Sequence, residues 1–164
     1  MKTKKNERRC LFIKVMASGT FDILHPGHVF YLDEARKLGG ENAKLMVVIA
    51  TDKTVHKHKR IPIVDENQRA EMVSSIKGVD EVFIGDEEDP FKIVKTQKPD
   101  IIAIGPDQNF NPQNLEEKLK NMGLDIKVVK IKSYKTFELD STCKIIQKIK
   151  KTHFHKKVFD DCEL

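Results

Sequence analysis

Ala17-Ser18-Gly19-Thr20-Phe21-Asp22-Ile23-Leu24-His25-Pro26-Gly27-His28 decides how this chain is read. An apolar run from Leu11 to Ala17 leads into it, and a segment of helical length starting at Pro26 leads out of it. The stretch therefore sits where a strand hands over to a helix. Gly19 and Gly27 let backbone N–H groups come close to a bound group, and the exposed amides at a helix start attract negative charge. His25 and His28 are three residues apart, so they project from one side of a helical turn and can hold neighbouring oxygens of a polyphosphate. With an ordinary pKa of about 6.5 they can become cationic as negative charge builds up beside them. The competing reading is that both rings simply cap and pack.

Outward from this stretch, strand-length apolar runs alternate with helix-length segments, the order that builds a parallel sheet covered on both faces. The predicted strands are Leu11–Ala17, Lys44–Thr51, Glu81–Ile84, Ile101–Ile104 and Ile126–Ile131, each carrying the Val and Ile of a doubly covered strand. The first helix opens at Pro26, where a missing N–H costs nothing, and stops at Gly39-Gly40. Asp65 with Gln68 resembles a capping box ahead of Arg69–Lys77, closed by Gly78. Asp89-Pro90 and Asn111-Pro112 are cap-and-proline starts, Gly123 ends the second of those helices, and Asp140-Ser141-Thr142 offers caps for a last helix through Lys144–Lys150. The expected fold is a single Rossmann-like α/β domain with a five-stranded parallel sheet. It would span residues 11–151, with a basic N-terminal extension at 1–10 and a C-terminal tail at 152–164.

The 164 residues fit one core. No apolar run approaches the ~20 residues of a membrane span, and the short run after the basic N-terminus lacks a cleavage pattern, so no membrane partner and a cytoplasmic location are expected. Cys10, Cys143 and Cys162 are odd in number and show no paired spacing, which suggests reduced thiols rather than disulfides or a zinc site. His153 and His155 lack a fixed partner that would make the tail a metal site. Net charge is +5, with lysine and arginine gathered at both ends. Such ends read as solvated tails more readily than as a nucleic-acid surface, and a phosphate site also favours a positive field.

In an open parallel sheet, ligands lie beyond the carboxyl ends of the strands. There the sequence sets Gly19–His28, then Thr51-Asp52-Lys53, then Gly105-Pro106-Asp107-Gln108, then Lys132-Ser133-Tyr134 leading to Ser141-Thr142. Neither GxGxxG nor a GK[ST] phosphate loop is present, so the phosphates must be held differently. The GTFDxxHxGH run, the ENQR at Glu66–Arg69 and the Ser141-Thr142-x-Lys144 helix start together resemble the HxGH nucleotidyltransferase family of Rossmann-like fold, over about Leu11 to Lys150.

That resemblance implies transfer of a nucleotidyl group: a phosphate oxygen of the acceptor attacks the α-phosphorus of a nucleoside triphosphate and pyrophosphate leaves. It implies that His25 and His28 are catalytic and steady the α- and β-phosphates. It further implies that the backbone at Thr20 and Phe21 contacts the triphosphate, with Pro26 and Gly27 completing the turn, and that Ser141 and Thr142 hold the β- and γ-phosphates. Plain helix caps remain the alternative for that last pair. Lys53, Lys57, Lys59 or Lys144 could add positive charge. Asp107 is either a turn residue or a contact to the nucleotide's sugar or base. Tyr134 is either packing or a ligand contact, and Arg69 either a solvated helix position or a phosphate contact. A divalent ion, Mg²⁺ by expectation, would travel with the triphosphate. A homodimer is implied as well.

Within the family, Gly105-Pro106-Asp107-Gln108, the Gly85–Asp89 loop and Ser141-Thr142-Cys143-Lys144-Ile145-Ile146 are similar to archaeal-type FAD synthases. Glycerol-3-phosphate cytidylyltransferases instead carry GDDW-like and RTxGxSTT sequences at the corresponding places. The expected reaction is adenylylation of FMN by ATP. A CTP-dependent cytidylyltransferase acting on a polyol phosphate is the rival enzyme, and a non-catalytic nucleotide- or nucleic-acid-binding module is the rival of another class.

Overall fold

In the computed structural model, described over residues 12–57, 61–132 and 136–152, every expected strand forms. They are β1 (Ile13–Gly19), β2 (Ala43–Ile49), β3 (Glu81–Ile84), β4 (Ile101–Ile104) and β5 (Lys127–Lys130). All neighbours pair in parallel, in the order β3-β2-β1-β4-β5. The chain thus winds outward from β1 first to one side and then to the other, and the order reverses between β1 and β4. A crevice opens at such a point.

Successive residues of β1 serve opposite faces, as strand geometry requires. Val15 and Ala17 join Leu45, Val47, Ile49 and Ala103 in a core closed by Tyr31, Leu32 and Ala35 of α1 (Pro26–Lys37) and Val73 of α3 (Glu66–Ser74). Met16 faces the other way, with Met46, Ile102, Ile104 and Val128, under Val94 of α4 (Lys92–Gln97) and Leu119 of α5 (Pro112–Asn121). Both faces are therefore covered, which explains why the strands read as near-continuous apolar runs.

The helix starts follow the expected chemistry. Pro26 occupies the first turn of α1, and Asp65 accepts from the amides of Asn67 and Gln68 at the start of α3. Asn111 accepts from the Asn114 amide to begin α5, and Ser141 caps α6 (Thr142–Lys151). Two elements differ from expectation. Asp89 forms a turn of its own, accepting from the Phe91 amide, so α4 starts only at Lys92. Thr51-Asp52-Lys53, set at the end of the second strand with no element assigned beyond it, leads into a short helix α2 (Asp52–Lys57). The Thr51 hydroxyl accepts the Thr54 amide at 3.1 Å and acts as its cap.

Candidate active site

The turn after β1 is held under strain. Phe21 and Ile23 adopt left-handed backbone with φ of 54° and 44°, a conformation that costs about 1–3 kcal/mol at a non-glycine residue and persists only where its surroundings impose it. Three contacts impose it here. The Phe21 ring is buried in the core against Tyr31 and His28. The Asp22 carboxylate, buried at 6% exposure, accepts the amides of Ile63 and Val64 at 3.0 Å each. The Asp22 carbonyl accepts the Thr142 hydroxyl at 2.7 Å. Gly19 is required beneath this turn, because a Cβ there would lie 2.9 Å from the Phe21 ring.

The turn delivers His25 to the N-cap position of α1 and His28 to its first turn, and the His28 amide donates to the His25 carbonyl at 2.9 Å. The imidazoles stack, with ring centroids 3.7 Å apart and planes 23° apart. Neither ring caps the helix, and both Nδ1 atoms are buried without a hydrogen-bond partner. Buried polar atoms are ordinarily paired, which makes these two nitrogens exceptions among the described residues.

The stack also bears on how the two rings titrate. Burial lowers the pKa of His25, against an opposing pull from Asp140 and Asp107. Burial, and then the proximity of His25, push His28 down to about 3. Partial burial and the stack both favour the neutral pair, because two stacked imidazolium rings would repel each other.

Gly27 brings the last helix to the same place. A Cβ on Gly27 would stand 2.6 Å from the Asp140 carbonyl oxygen, so only glycine lets the chain ahead of α6 cross here. Ser141 accepts the Lys144 amide at 3.3 Å, and the Thr142 hydroxyl is committed to Asp22. Both hydroxyls therefore have cap or tether roles, which leaves the first amides of α6 to face an anion. Lys144 adds a cation at the cleft, held by Asp140 at 2.7 Å. That ion pair, with the Phe137 amide, keeps Asp140 below the usual carboxylate range.

The β4 side is tied to β1 by Gln108, which sequence reading set at the rim without a role of its own, and by Tyr31, which it did not single out. Gln108 donates to the Ser18 carbonyl at 2.8 Å while accepting the Gly105 amide at 2.8 Å. The buried Tyr31 hydroxyl donates to the Ala103 carbonyl at 2.9 Å, and burial raises its pKa far above the ordinary value. The signal for Gln108 was present in Gly105–Gln108. Tyr31 carried none, since it reads as one more apolar position of α1.

Together these elements enclose a cleft of about 610 Å³ at the reversal of strand order. Thr20, Phe21, His25, Gly27, His28, Asp107, Ser141 and Thr142 all line it. Asp107 is exposed there. Pro26 sits at the helix start without lining the cleft, and Tyr134 and Lys59 lie outside the described residues.

Other expectations need correcting. Arg69 is neither a solvated helix position nor a phosphate contact. At 1% exposure its guanidinium donates to the carbonyls of Val64 at 2.8 Å, Ala50 at 2.8 Å and Thr20, and to the Asp52 carboxylate at 2.6 Å. The same ENQR run sends Glu66 to the Asp52 amide at 2.6 Å. This motif is thus a clamp on the ends of β1 and β2. Lys53 pairs with Glu87 at 2.6 Å, Lys57 reaches the Glu87 carbonyl at 3.4 Å, and neither lines the cleft.

Among the described residues, no group of three or more His, Cys, Asp or Glu side chains is placed to hold a metal. The donor set does not form a protein cage for a divalent ion, whose ligands here would have to come largely from a triphosphate. No helix among the described residues is long and apolar enough to cross a membrane.

The sequence profile of the cytidylyltransferase-like family matches residues 16–148. A protein of Methanosphaera stadtmanae named FAD synthase is 69% identical over 148 residues, which are 90% of this chain and 100% of that one. A FAD synthase of Methanothermobacter marburgensis is 52% identical over 96% of this chain and 98% of its own. Among solved structures, a lipopolysaccharide core biosynthesis protein from Thermoplasma volcanium superposes with a TM-score of 0.71 at 45% identity, over 76% of this chain and 98% of that one. The histidine stack at the reversal of strand order, the profile and the full-length relatives agree: the chain belongs to the cytidylyltransferase-like family and groups there with the archaeal proteins named FAD synthase.

Proposed function

We propose that this chain is an FMN adenylyltransferase, transferring the AMP moiety of ATP to FMN to give FAD and pyrophosphate. The observation that carries the reading is the 69% identity to a protein named FAD synthase across that protein's entire length. The cleft supports it with chemistry suited to a triphosphate. A phosphate monoester such as FMN is already a competent nucleophile, so the protein need only align it and stabilise charge. An FMN phosphate oxygen attacks the α-phosphorus, and the bond to the β-phosphate oxygen breaks, releasing pyrophosphate. Neutral His25 and His28 each have an N–H to give to α- and β-phosphate oxygens. As charge moves onto the leaving group, their pKa values rise and they can take up a proton. The amides after Gly19 and at the start of α6 receive the remaining phosphate oxygens, and Asp107 meets the sugar or base.

A divalent ion, Mg²⁺ by expectation, arrives bound to ATP and supplies charge neutralisation. The enzyme works as a homodimer in the cytoplasm. The test is to incubate the protein under reducing conditions with Mg²⁺, FMN and either ATP or CTP, and to resolve the flavins by chromatography. FAD is expected with ATP. Its absence, together with a CDP-polyol from CTP and glycerol 3-phosphate, would overturn the reading.

A further inference from the structure

Residues 61–64 are fixed more firmly than a surface loop needs to be. Asp22 accepts two consecutive amides, those of Ile63 and Val64, while Arg69 donates to the Val64 carbonyl at 2.8 Å. Pro62 restricts the backbone between them. Exposure alternates along residues 61–65, with Ile61, Ile63 and Asp65 outward and Pro62 and Val64 partly covered. This rigid segment presents isoleucines that are 80% and 66% exposed. Its anchor, Asp22, is itself a wall of the cleft and follows Phe21 in the strained turn.

We propose that Ile61 and Ile63 form the platform on which the isoalloxazine ring of FMN rests while its phosphate enters the cleft. The proposal rests on the reading of the chain as an FMN adenylyltransferase. An acceptor of that kind joins a phosphate to a broad, largely apolar tricycle, and the two ends need different surroundings. Phe30 and Pro106 are the partly exposed apolar residues of the cleft lining, while Phe21, Tyr31 and Ile131 are buried. The pinned loop adds a further surface that is apolar, pre-ordered and one hydrogen bond from the cleft wall. Fixing it in advance removes the entropy loss that ordering a loop on binding would bring. A tilt of the Asp22 turn would move platform and phosphate site together, which keeps ring and phosphate in register.

Steady-state FAD formation tests this in the wild type, in the double variant Ile61→Ser with Ile63→Ser, in its conservative counterpart Ile61→Val with Ile63→Leu, and in Phe110→Ser, which truncates an exposed ring on the β4 side. The serine pair should raise KM for FMN about tenfold, the scale of a lost apolar contact in a specificity pocket. It should leave unchanged the KM for ATP, the melting temperature and the inhibition constant of ribitol 5-phosphate, which lacks the ring. The conservative pair should restore the FMN KM. An unchanged FMN KM in the serine pair, an equal rise for both substrates with a fall in melting temperature, or a rise in FMN KM confined to Phe110→Ser would each overturn the platform alone. Absence of FAD from the wild type would overturn the underlying reading, and the platform with it.

Discussion

At His28, burial and the neighbouring His25 ring hold the pKa near 3, and the sign of the consequences follows. The folded state keeps this imidazole neutral where the unfolded chain, titrating near 6.5, binds a proton. Its contribution to stability is therefore complete above pH 6.5 and is lost progressively as pH falls toward 3. Replacing His28 with Gln should flatten the wild-type loss of stability between pH 7 and pH 5, read as denaturation midpoints at the two values. Polyphosphate binding works in the opposite sense. Nucleotide should be bound with net proton uptake, visible as a dependence of calorimetric heat on buffer ionisation enthalpy, and its affinity should weaken as pH rises. Gly27→Ala places a methyl group 2.6 Å from the Asp140 carbonyl and should displace the start of α6. Activity should fall together with melting temperature, whereas a histidine substitution should spare the latter. The residue types and spacing of this site were legible in His25–His28. Their neutrality was not, since it arises from the buried Phe21 ring and from a stacking distance that only the folded turn fixes.

At the scale of elements, the ENQR run acts as a clamp rather than as a contact. Arg69 gathers the carbonyl ends of β1 and β2, the loop at Val64 and the start of α2 around one buried guanidinium. Arg69→Met keeps the apolar stem and leaves three carbonyls and the Asp52 carboxylate without their donor. A loss on the order of 3 kcal/mol is expected in urea denaturation. Arg69→Lys should recover only part of it, because an ammonium cannot reach four acceptors through a planar fork. Sequence reading found the helix and missed this job: a charged residue on an amphipathic pattern reads as solvent-facing unless its acceptors, five to forty-nine residues away, are known to converge. The short helix α2 was missed for a related reason. Its six residues carry no apolar period, and what orders it is Glu66 of α3 at the Asp52 amide.

For the whole molecule, the alternation of strands and helices was readable because each buried strand is a run of Val, Ile, Leu or Met. The strand order was not, because nothing local says that β4 returns to the far side of β1. That order makes the cleft, by bringing Gly105–Gln108 and the start of α6 beside the first turn. The two edge strands, β3 and β5, are four residues each, and a homodimer predicts sedimentation at twice the 18.9 kDa chain mass. The account's central claim is that the stacked histidines accelerate adenylyl transfer to FMN by stabilising charge in the transition state. The measurement that bears on it most directly is the rate of FAD formation from saturating ATP and FMN by the His25→Asn, His28→Asn double variant, taken beside its melting temperature. The expected result is a fall of about two to three orders of magnitude or more, with the melting temperature unchanged. A double variant that makes FAD at the wild-type rate would contradict it.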